Sequence, residues 1–168
     1  MSKITLNASN IAEAFKRQGV THVVGLPDNG SCALWELIGR DPDLDLISVT
    51  REGEAFAVAC GLFIGGKNPV VIIQNTGFLE SGDAIRGTAH NMGIPLVILI
   101  GYRGFESMSS GRGMVDTAAT FFEPTLNAWQ IPYSLLTTDQ EVGLIAQAFD
   151  KAKAINMPVA VIYPGETV

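Results

Sequence analysis

The chain has 168 residues, of which 47% are hydrophobic, and it carries a formal net charge of -6. This length suits one compact domain with a substantial core, so we expect a single domain over 1–168. An acidic chain without clustered Lys and Arg offers no surface for a phosphate backbone, which argues against a nucleic acid partner. No apolar run is long enough to span a bilayer, and we expect a cytoplasmic protein without a membrane partner.

Short apolar runs alternate with amphipathic segments from the beginning of the chain to its end. A first helix, capped by Asn7 or Ser9, should end near Gln18, where Gly19 follows. Further helices are expected over 31–38, 52–65, 81–92 and 139–154, with another segment over 117–129. Strands are expected over 22–25, 46–49, 69–73, 96–100, 133–136 and 159–162. This order predicts an α/β fold with a mostly parallel sheet and helices on both faces.

Two cysteines, Cys32 and Cys60, fall inside predicted helices with apolar surroundings. Such positions are typical of a reduced protein rather than of a disulfide framework. We therefore expect two free thiols.

Four polar loops that contain glycine follow predicted strands, at 26–30, 50–53, 74–77 and 101–104. The carboxyl ends of parallel strands share one edge of the sheet, where ligands of open α/β proteins bind. None of these loops has the glycine pattern that holds a dinucleotide or the phosphate loop of nucleotide-hydrolysing enzymes. The sequence therefore contains no motif that supports binding of NAD or ATP.

Glu52 is the first catalytic candidate, because it stands between a predicted buried strand and a helix of small side chains. The structural alternative is a helix N-terminal carboxylate that interacts favourably with the helix dipole. Glu54 does not face Glu52 on a helix, so we interpret it as a solvated or interface charge.

Four segments together carry a family resemblance: Gly19 to Pro27, Arg51-Glu52 followed by Ala55 and Gly61, Gln74-Asn75-Thr76-Gly77, and Ile94 to Gly101. Their combination resembles the pyrimidine-binding domain of thiamine-diphosphate-dependent decarboxylases, and covers essentially the whole chain. Within that family it is most similar to the group that decarboxylates sulfopyruvate and phosphonopyruvate.

The resemblance implies thiamine diphosphate as cofactor and Glu52 as the acid that hydrogen-bonds its aminopyrimidine and promotes deprotonation of its thiazolium carbon. The residues implied to contact the cofactor are Glu52, Pro27, Gln74, Asn75, Thr76 and Gly77. The structural alternative for Gln74 and Asn75 is a cap of the strand end.

The substrate implied is a small anionic 2-oxo acid, with contacts from Asp28, Asn29, Gln74, His90 and Arg103. Asp28 is either a proton-relaying acid or a turn residue. Arg103 and Arg112 bracket a glycine-rich and serine-rich loop, where an arginine either binds a sulfonate or phosphonate or is simply solvated. His90 is expected to be structural or a neighbour of the site. We predict no metal ligands in this chain.

The family's diphosphate-binding domain carries Gly-Asp-Gly followed by Asn-Asn, and this chain has no such pair. We therefore expect a separate β subunit that supplies the Mg²⁺ and diphosphate site, a second α subunit in the assembly, and an inactive isolated chain. An acyloin-forming enzyme with the same cofactor and a non-catalytic ligand-binding or regulatory subunit remain as alternatives to the decarboxylase.

Overall fold

The computed structural model describes residues 4–111 and 113–168. Its helices are α1 (Ala8–Arg17), α2 (Cys32–Ile38), α3 (Glu52–Ile64), α4 (Asn75–Glu80), α5 (Gly82–Ala84), α6 (Phe105–Ser110), α7 (Thr117–Ala128) and α8 (Leu144–Ile155). Its strands are β1 (Thr5–Leu6), β2 (His22–Gly25), β3 (Asp45–Ser48), β4 (Pro69–Gln74), β5 (Val97–Gly101), β6 (Tyr133–Leu135), β7 (Val159–Tyr163) and β8 (Glu166–Thr167). A π-helical segment covers Ile85–His90, and a 3₁₀ turn covers Asp139–Glu141.

Six strands form one parallel sheet in the order β3-β2-β4-β5-β7-β6. The predicted α/β class with a mostly parallel sheet is therefore confirmed. Strands β1 and β8 pair in a separate parallel sheet, which the sequence did not predict because each strand has only 2 residues.

Helices cover both faces of the six-stranded sheet, so the chain has three layers and two cores. Alternation along β4 shows the division, because Val70 and Ile72 belong to one core whereas Val71 and Ile73 belong to the other. The first core contains residues of α1, α2 and α8. The second contains residues of α3, α4, α7 and the π-helical segment.

The predicted helix over 81–92 differs from the observed structure. Helical structure already begins at Asn75, directly after β4, so the prediction of a loop over 74–77 is wrong for three of its four residues. The helix is interrupted at Ser81, whose hydroxyl donates to the carbonyl of Gly77 at 2.6 Å, and it becomes π-helical from Ile85. A side-chain hydrogen bond to the carbonyl one turn back is a known cause of helix bending.

Both cysteines are free, as predicted, but their surroundings differ. Cys60 is buried in the second core, and burial raises the pKa of its thiol. Cys32 is exposed at the start of α2, so the prediction of apolar surroundings is wrong for this residue. Among the described residues, no helix is both long and apolar enough to cross a membrane.

The chain leaves β2 toward β3 on one side and returns to β4 on the other. This reversal of strand order opens a crevice beyond the carboxyl ends of β2 and β4, which is the usual ligand position in an open parallel sheet. The loops after these two strands contain Asp28 and Gln74.

Candidate active site

A cleft of about 300 Å³ lies at the carboxyl ends of four neighbouring strands, β2, β4, β5 and β7. It brings together four of the predicted substrate residues, Asp28, Asn29, Gln74 and Arg103. The rest of its lining is Gly30, Gly101, Tyr102, Gly165 and Glu166. The residues came from three separate loops in the sequence, and the parallel sheet makes them neighbours.

Asp28 holds its own loop together. Its Oδ1 accepts hydrogen bonds from the backbone N–H groups of Gly30, at 2.6 Å, and of Ser31, at 3.1 Å. Its Oδ2 accepts from the Ser31 hydroxyl at 3.1 Å. These bonds are those of an Asx turn ahead of α2, so the turn interpretation of Asp28 is realised. The carboxylate also lines the cleft, and a catalytic role stays a prediction.

Gln74, the last residue of β4, and Asn75, the first residue of α4, have different environments. The carbonyl of the Gln74 side chain accepts from the Thr76 hydroxyl at 2.9 Å, which orients the Gln74 amide at the edge of the cleft. Asn75 is fully buried, and its Nδ2 donates to the backbone carbonyls of Arg103, at 3.0 Å, and Ala118, at 3.2 Å. Asn75 therefore joins the end of β4 to the segment after β5 and to α7.

Arg103 lies at the mouth of the cleft, and its guanidinium Nε is 3.1 Å from Asp116 Oδ2. The other oxygen of Asp116 accepts from the N–H of Ala118 and caps α7. Arg103 also lines an adjoining cleft of about 340 Å³ under α6. Its side chain is 60% exposed, so its charge is available to an anion that enters from solvent. Arg112 lies outside the described residues.

Glu52 opens α3, as predicted, and its half-buried side chain lies against the backbone of Gly77 in the first turn of α4. A Cβ on Gly77 would stand only 2.2 Å from Cγ and 2.5 Å from Oε1 of Glu52. Only glycine fits at this position while Glu52 keeps its conformation. Two residues that the sequence named separately are thus in direct contact.

The charged neighbours of Glu52 are engaged elsewhere. Arg51 forms an ion pair with Glu80. Glu54 is exposed and accepts from the N–H of Thr50, at 3.0 Å, and from its hydroxyl, at 2.9 Å. The hydrogen bond from the Thr50 backbone, followed by that from its hydroxyl, lowers the pKa of Glu54. Glu52 and Glu54 do not form a carboxylate pair.

Several cleft residues escaped the sequence analysis. Tyr102 is buried beneath the cleft and donates to Glu123 at 3.0 Å, and Tyr133 donates to the second oxygen of the same carboxylate at 2.7 Å. Burial, reinforced by Glu123, raises the pKa of Tyr102. Gly165 and Glu166 follow β7. The search for glycine-containing loops after apolar strands could have found them, because Gly165 comes just after such a strand.

His90 lies apart from the other predicted substrate residues. It lines a separate cleft of about 550 Å³ with Arg86 and Trp129, between the π-helical segment and the end of α7. The structure does not bring His90 together with Asp28 or Arg103. Pro27 is exposed beside the cleft loop. In the parts of the chain that the structure describes, no group of three or more His, Cys, Asp or Glu could hold a metal ion.

Comparison with known proteins decides the family. Residues 7–130 match the family described as thiamine pyrophosphate enzyme, N-terminal TPP binding domain. The chain belongs to the thiamine pyrophosphate enzymes. The resemblance drawn from the sequence is therefore confirmed, thiamine pyrophosphate being another name for thiamine diphosphate.

Relatives within this family place the chain among its decarboxylases. It is 30% identical to the sulfopyruvate decarboxylase subunit alpha of Methanococcus maripaludis, with 94% of each chain covered. It is 27% identical to the subunit alpha of the same name from Methanocaldococcus jannaschii, over 91% of this chain and 90% of that one. Phosphonopyruvate decarboxylase of Streptomyces viridochromogenes is 32% identical over 59% of this chain, which corresponds to 25% of that enzyme.

A solved structure supports the same fold. The thiamine diphosphate-dependent 4-hydroxybenzoylformate decarboxylase of Rhodococcus jostii RHA1 matches 96% of this chain with a TM-score of 0.73 and 20% identity. The match covers 31% of that protein. This thiamine pyrophosphate enzyme domain is therefore about a third of that longer chain.

The residues present fit the pyrimidine half of the cofactor. A carboxyl group can share a proton with a ring nitrogen, and Glu52 places one at the start of α3 in a half-buried position. Gly77, by lacking a Cβ, leaves that side chain its space. Gln74 and Thr76 are polar neighbours at the beginning of α4, close to Gly77 in the chain.

Proposed function

We propose that this chain is the α subunit of a thiamine-diphosphate-dependent decarboxylase of a small anionic 2-oxo acid, with 3-sulfopyruvate as substrate and sulfoacetaldehyde and CO₂ as products. The observation that carries the proposal is the contact between Glu52 and Gly77 in a chain that matches sulfopyruvate decarboxylase α subunits along nearly its full length. When bound, thiamine diphosphate supplies the nucleophilic carbon and the electron sink for loss of CO₂.

Glu52 is the proposed catalytic acid of this chain. It holds a proton at its carboxyl oxygen and shares it with a nitrogen of the aminopyrimidine. Its carboxyl group stands at the first residue of α3 with the side chain half-buried, where a flat ring can lie against it. Gly77, Gln74, Thr76 and Pro27 are the proposed neighbours of the ring. Asn75 remains a predicted contact, although its amide nitrogen already serves two backbone carbonyls.

The proposed substrate site is the cleft of Asp28, Asn29, Gln74 and Arg103. Arg103 would bind the sulfonate by charge-assisted hydrogen bonds, sharing its guanidinium between the ligand and Asp116. Gln74 would orient the substrate carboxylate through its side-chain amide. Asp28 would move a proton at the reacting carbon once CO₂ has left, because its carboxylate lines the same cleft as Gln74.

The proposed partner is a β subunit that carries the diphosphate-binding domain and the Mg²⁺ site. The subunit naming of the methanogen relatives supports a divided enzyme. The packing of α3 supports it as well, because Ala55 and Ala59 face the core whereas Ala57 and Gly61 are exposed. Small exposed side chains allow another subunit to approach closely, and a second α subunit is expected in a symmetric assembly.

The test is reconstitution with the candidate β subunit, starting with the product of the adjacent reading frame. Release of CO₂ from 3-sulfopyruvate and from phosphonopyruvate is measured with thiamine diphosphate and Mg²⁺, for each subunit alone and for the mixture. We expect activity in the mixture only, with 3-sulfopyruvate as the better substrate. Activity of the α chain alone would contradict the divided enzyme.

Two other outcomes decide between the alternatives. Faster turnover of phosphonopyruvate would reassign the substrate, and a new carbon–carbon bond formed with an added acceptor aldehyde would make the protein an acyloin-forming enzyme. If the complex neither binds thiamine diphosphate by calorimetry nor reacts with either acid, the chain is a ligand-binding or regulatory subunit.

A further inference from the structure

The short sheet formed by β1 and β8 lies against the loop that contains Asp28. The backbone N–H of Thr167 in β8 donates to the carbonyl of Gly30 at 2.7 Å, and its hydroxyl donates to the same carbonyl at 3.0 Å. The two segments are in close contact, because a Cβ on Gly30 would stand only 2.9 Å from the carbonyl oxygen of Gly165. Both glycines line the cleft, so the segment after β7 and the Asp28 loop share one wall of it.

Strand β8 is itself fixed by the segment 4–6. The N–H of Glu166 donates to the carbonyl of Ile4 at 3.2 Å, and the N–H of Val168 donates to the carbonyl of Leu6 at 2.9 Å. These bonds hold a strand of only 2 residues in place. Thr167 is 5% exposed, so its hydroxyl is removed from water and depends on partners in the protein.

The Thr167 hydroxyl also caps α2. This helix begins at Cys32 after its N-cap residue Ser31, and the Ser31 side chain makes no capping hydrogen bond. An N-cap serine normally accepts from the backbone N–H of the second or third residue of its helix. The third residue of α2 is Leu34, and its N–H donates to Thr167 Oγ1 at 3.2 Å. A side chain 133 residues further along the chain thus takes the place of the local cap.

The Ser31 hydroxyl has a different use. It donates to Asp28 Oδ2 at 3.1 Å and accepts from the Asp28 N–H at 3.1 Å. Its oxygen is therefore committed to Asp28 and makes no bond to the helix that it precedes. Ser31 is fully buried, and the carboxylate that it orients lines the cleft.

We propose that Thr167 is a positioning residue for the cleft: it caps α2 in place of Ser31, so that the Ser31 hydroxyl can hold the Asp28 carboxylate at the cleft wall. Loss of the Thr167 hydroxyl would leave the Leu34 N–H buried without an acceptor, and such a donor is unfavourable. The first turn of α2 and the Asp28 loop should then open more often. The effect of this opening on turnover rests on the proposed function, in which Asp28 and Asn29 contact the substrate.

The test is amide hydrogen exchange of the full chain, followed by NMR in Thr167→Val, Thr167→Ser and the parent protein. Valine keeps the shape of threonine without its hydroxyl, whereas serine keeps the hydroxyl. We expect the Leu34 amide to exchange about 10-fold faster in Thr167→Val, relative to amides of β5 that report opening of the whole domain. In Thr167→Ser it should exchange close to the parent rate.

Thr120→Val is the matched control, because it removes an exposed hydroxyl that donates to the carbonyl of Thr117 within α7. It should leave the exchange of Leu34 unchanged. A Leu34 rate in Thr167→Val that stays within about 2-fold of the parent rate overturns the proposal.

Ser31→Ala gives a second decision if Thr167→Val does not fold. It removes the hydroxyl that holds Asp28 but leaves the bond between Leu34 and Thr167, so the Leu34 amide should exchange at the parent rate. Exchange about 10-fold faster at Leu34 in Ser31→Ala would make Ser31 the cap of α2 and overturn the proposal.

Kinetics of the reconstituted enzyme separate this proposal from the proposed function. In Thr167→Val, kcat/KM for 3-sulfopyruvate should fall about 10-fold and recover in Thr167→Ser, while the Kd of thiamine diphosphate, whose proposed carboxyl contact is Glu52, stays within about 2-fold. Faster Leu34 exchange with an unchanged kcat/KM would overturn the positioning role of Thr167. A parent complex without decarboxylase activity would refute the proposed function, and hydrogen exchange would still decide whether Thr167 caps α2.

Discussion

The cleft beside Asp28 and Arg103 is smaller than the cleft beside His90 and Trp129, about 300 Å³ against about 550 Å³. The smaller cleft lies where four parallel strands end and the strand order reverses. The larger one lies between the π-helical segment and the end of α7. Size and chemistry therefore point to different places on the molecule.

The polar groups of the two clefts explain why the position of a cleft in the fold indicates the substrate site better than its volume does. In the larger cleft the Arg86 guanidinium is 2.6 Å from Asp83, three residues earlier, so this ion pair stays within one continuous helical segment, whereas the Arg103–Asp116 pair joins two separate segments. In the smaller cleft, groups from separate loops converge on one space. A parallel sheet brings such loops together, whereas a groove between two helices does not.

Substitution of Gly77, the glycine in contact with Glu52, is expected to have the largest effect on activity. In Gly77→Ala the new Cβ would meet the Glu52 side chain at 2.2 Å, so Glu52 must leave its position. We expect CO₂ release by the reconstituted enzyme to fall by about 100-fold or more, since displacement of a catalytic group by about 1 Å has effects of this size. Gly87→Ala, where a Cβ meets nothing within 4 Å, is the matched control. Equal activity of the two variants would contradict a role for the Glu52–Gly77 contact.

The two arginines test which cleft binds the anion. Arg103→Gln should raise KM for the anionic 2-oxo acid about 10- to 100-fold, the loss expected for a hydrogen bond to a charged group. Arg86→Gln, in the larger cleft, should leave KM unchanged. The steady-state kinetics of the reconstituted enzyme measure both. A KM that rises only in Arg86→Gln would transfer the anion site to the larger cleft.

Asn75 should affect stability. Asn75→Ala removes the donor for the carbonyls of Arg103 and Ala118, and we expect the free energy of unfolding to fall by about 1–3 kcal/mol. The exposed Asn91→Ala should change it by less than about 0.5 kcal/mol. Urea denaturation of the isolated chain measures both, and equal midpoints would refute the structural role of Asn75.

His90 should give the smallest effect, visible only as a dependence on pH. Burial lowers the pKa of His90 from its ordinary value of 6.5, and its Nε2 has no partner within the described part of the chain. Below that pH the unfolded chain takes up a proton that the folded chain resists, so the free energy of unfolding should decrease as the pH falls. His90→Gln should lose this dependence. Parallel stability profiles of the two proteins between pH 5 and about pH 7 would contradict it.

Local sequence signals predicted the frame of the fold well. The strand predicted over 22–25 has the same bounds in the structure, His22–Gly25, because Gly19 ends the preceding helix and Pro27 prevents the strand from continuing. The beginning of α3 at Glu52 also matched, since a polar segment separates it from an apolar strand. The pairing of β1 with β8 was missed, because strands of 2 residues carry no periodicity.

The lining of the candidate cleft was predicted only where its residues directly follow strands in the chain. Loops at strand ends gave Asp28, Gln74 and Arg103, but the contact between Glu52 and Gly77 depends on how α3 packs on α4, which no local pattern encodes. The burial of the Tyr163 hydroxyl without a hydrogen-bond partner among the described residues could not be predicted, because in the sequence Tyr163 looks like one more apolar strand residue. The buried role of Asn75 was also hidden, since a strand-end amide looks the same whether it faces a ligand or the protein.

The most direct test of the account is Glu52→Gln in the complex with its β subunit, assayed for CO₂ release from 3-sulfopyruvate beside Glu54→Gln. Glutamine keeps the shape of Glu52 but cannot hold the shared proton. We predict that Glu52→Gln lowers the rate by about 10²- to 10⁴-fold while calorimetry still detects thiamine diphosphate binding, and that Glu54→Gln is nearly fully active. A Glu52→Gln rate close to that of the parent enzyme would contradict the assignment of Glu52 as the catalytic acid.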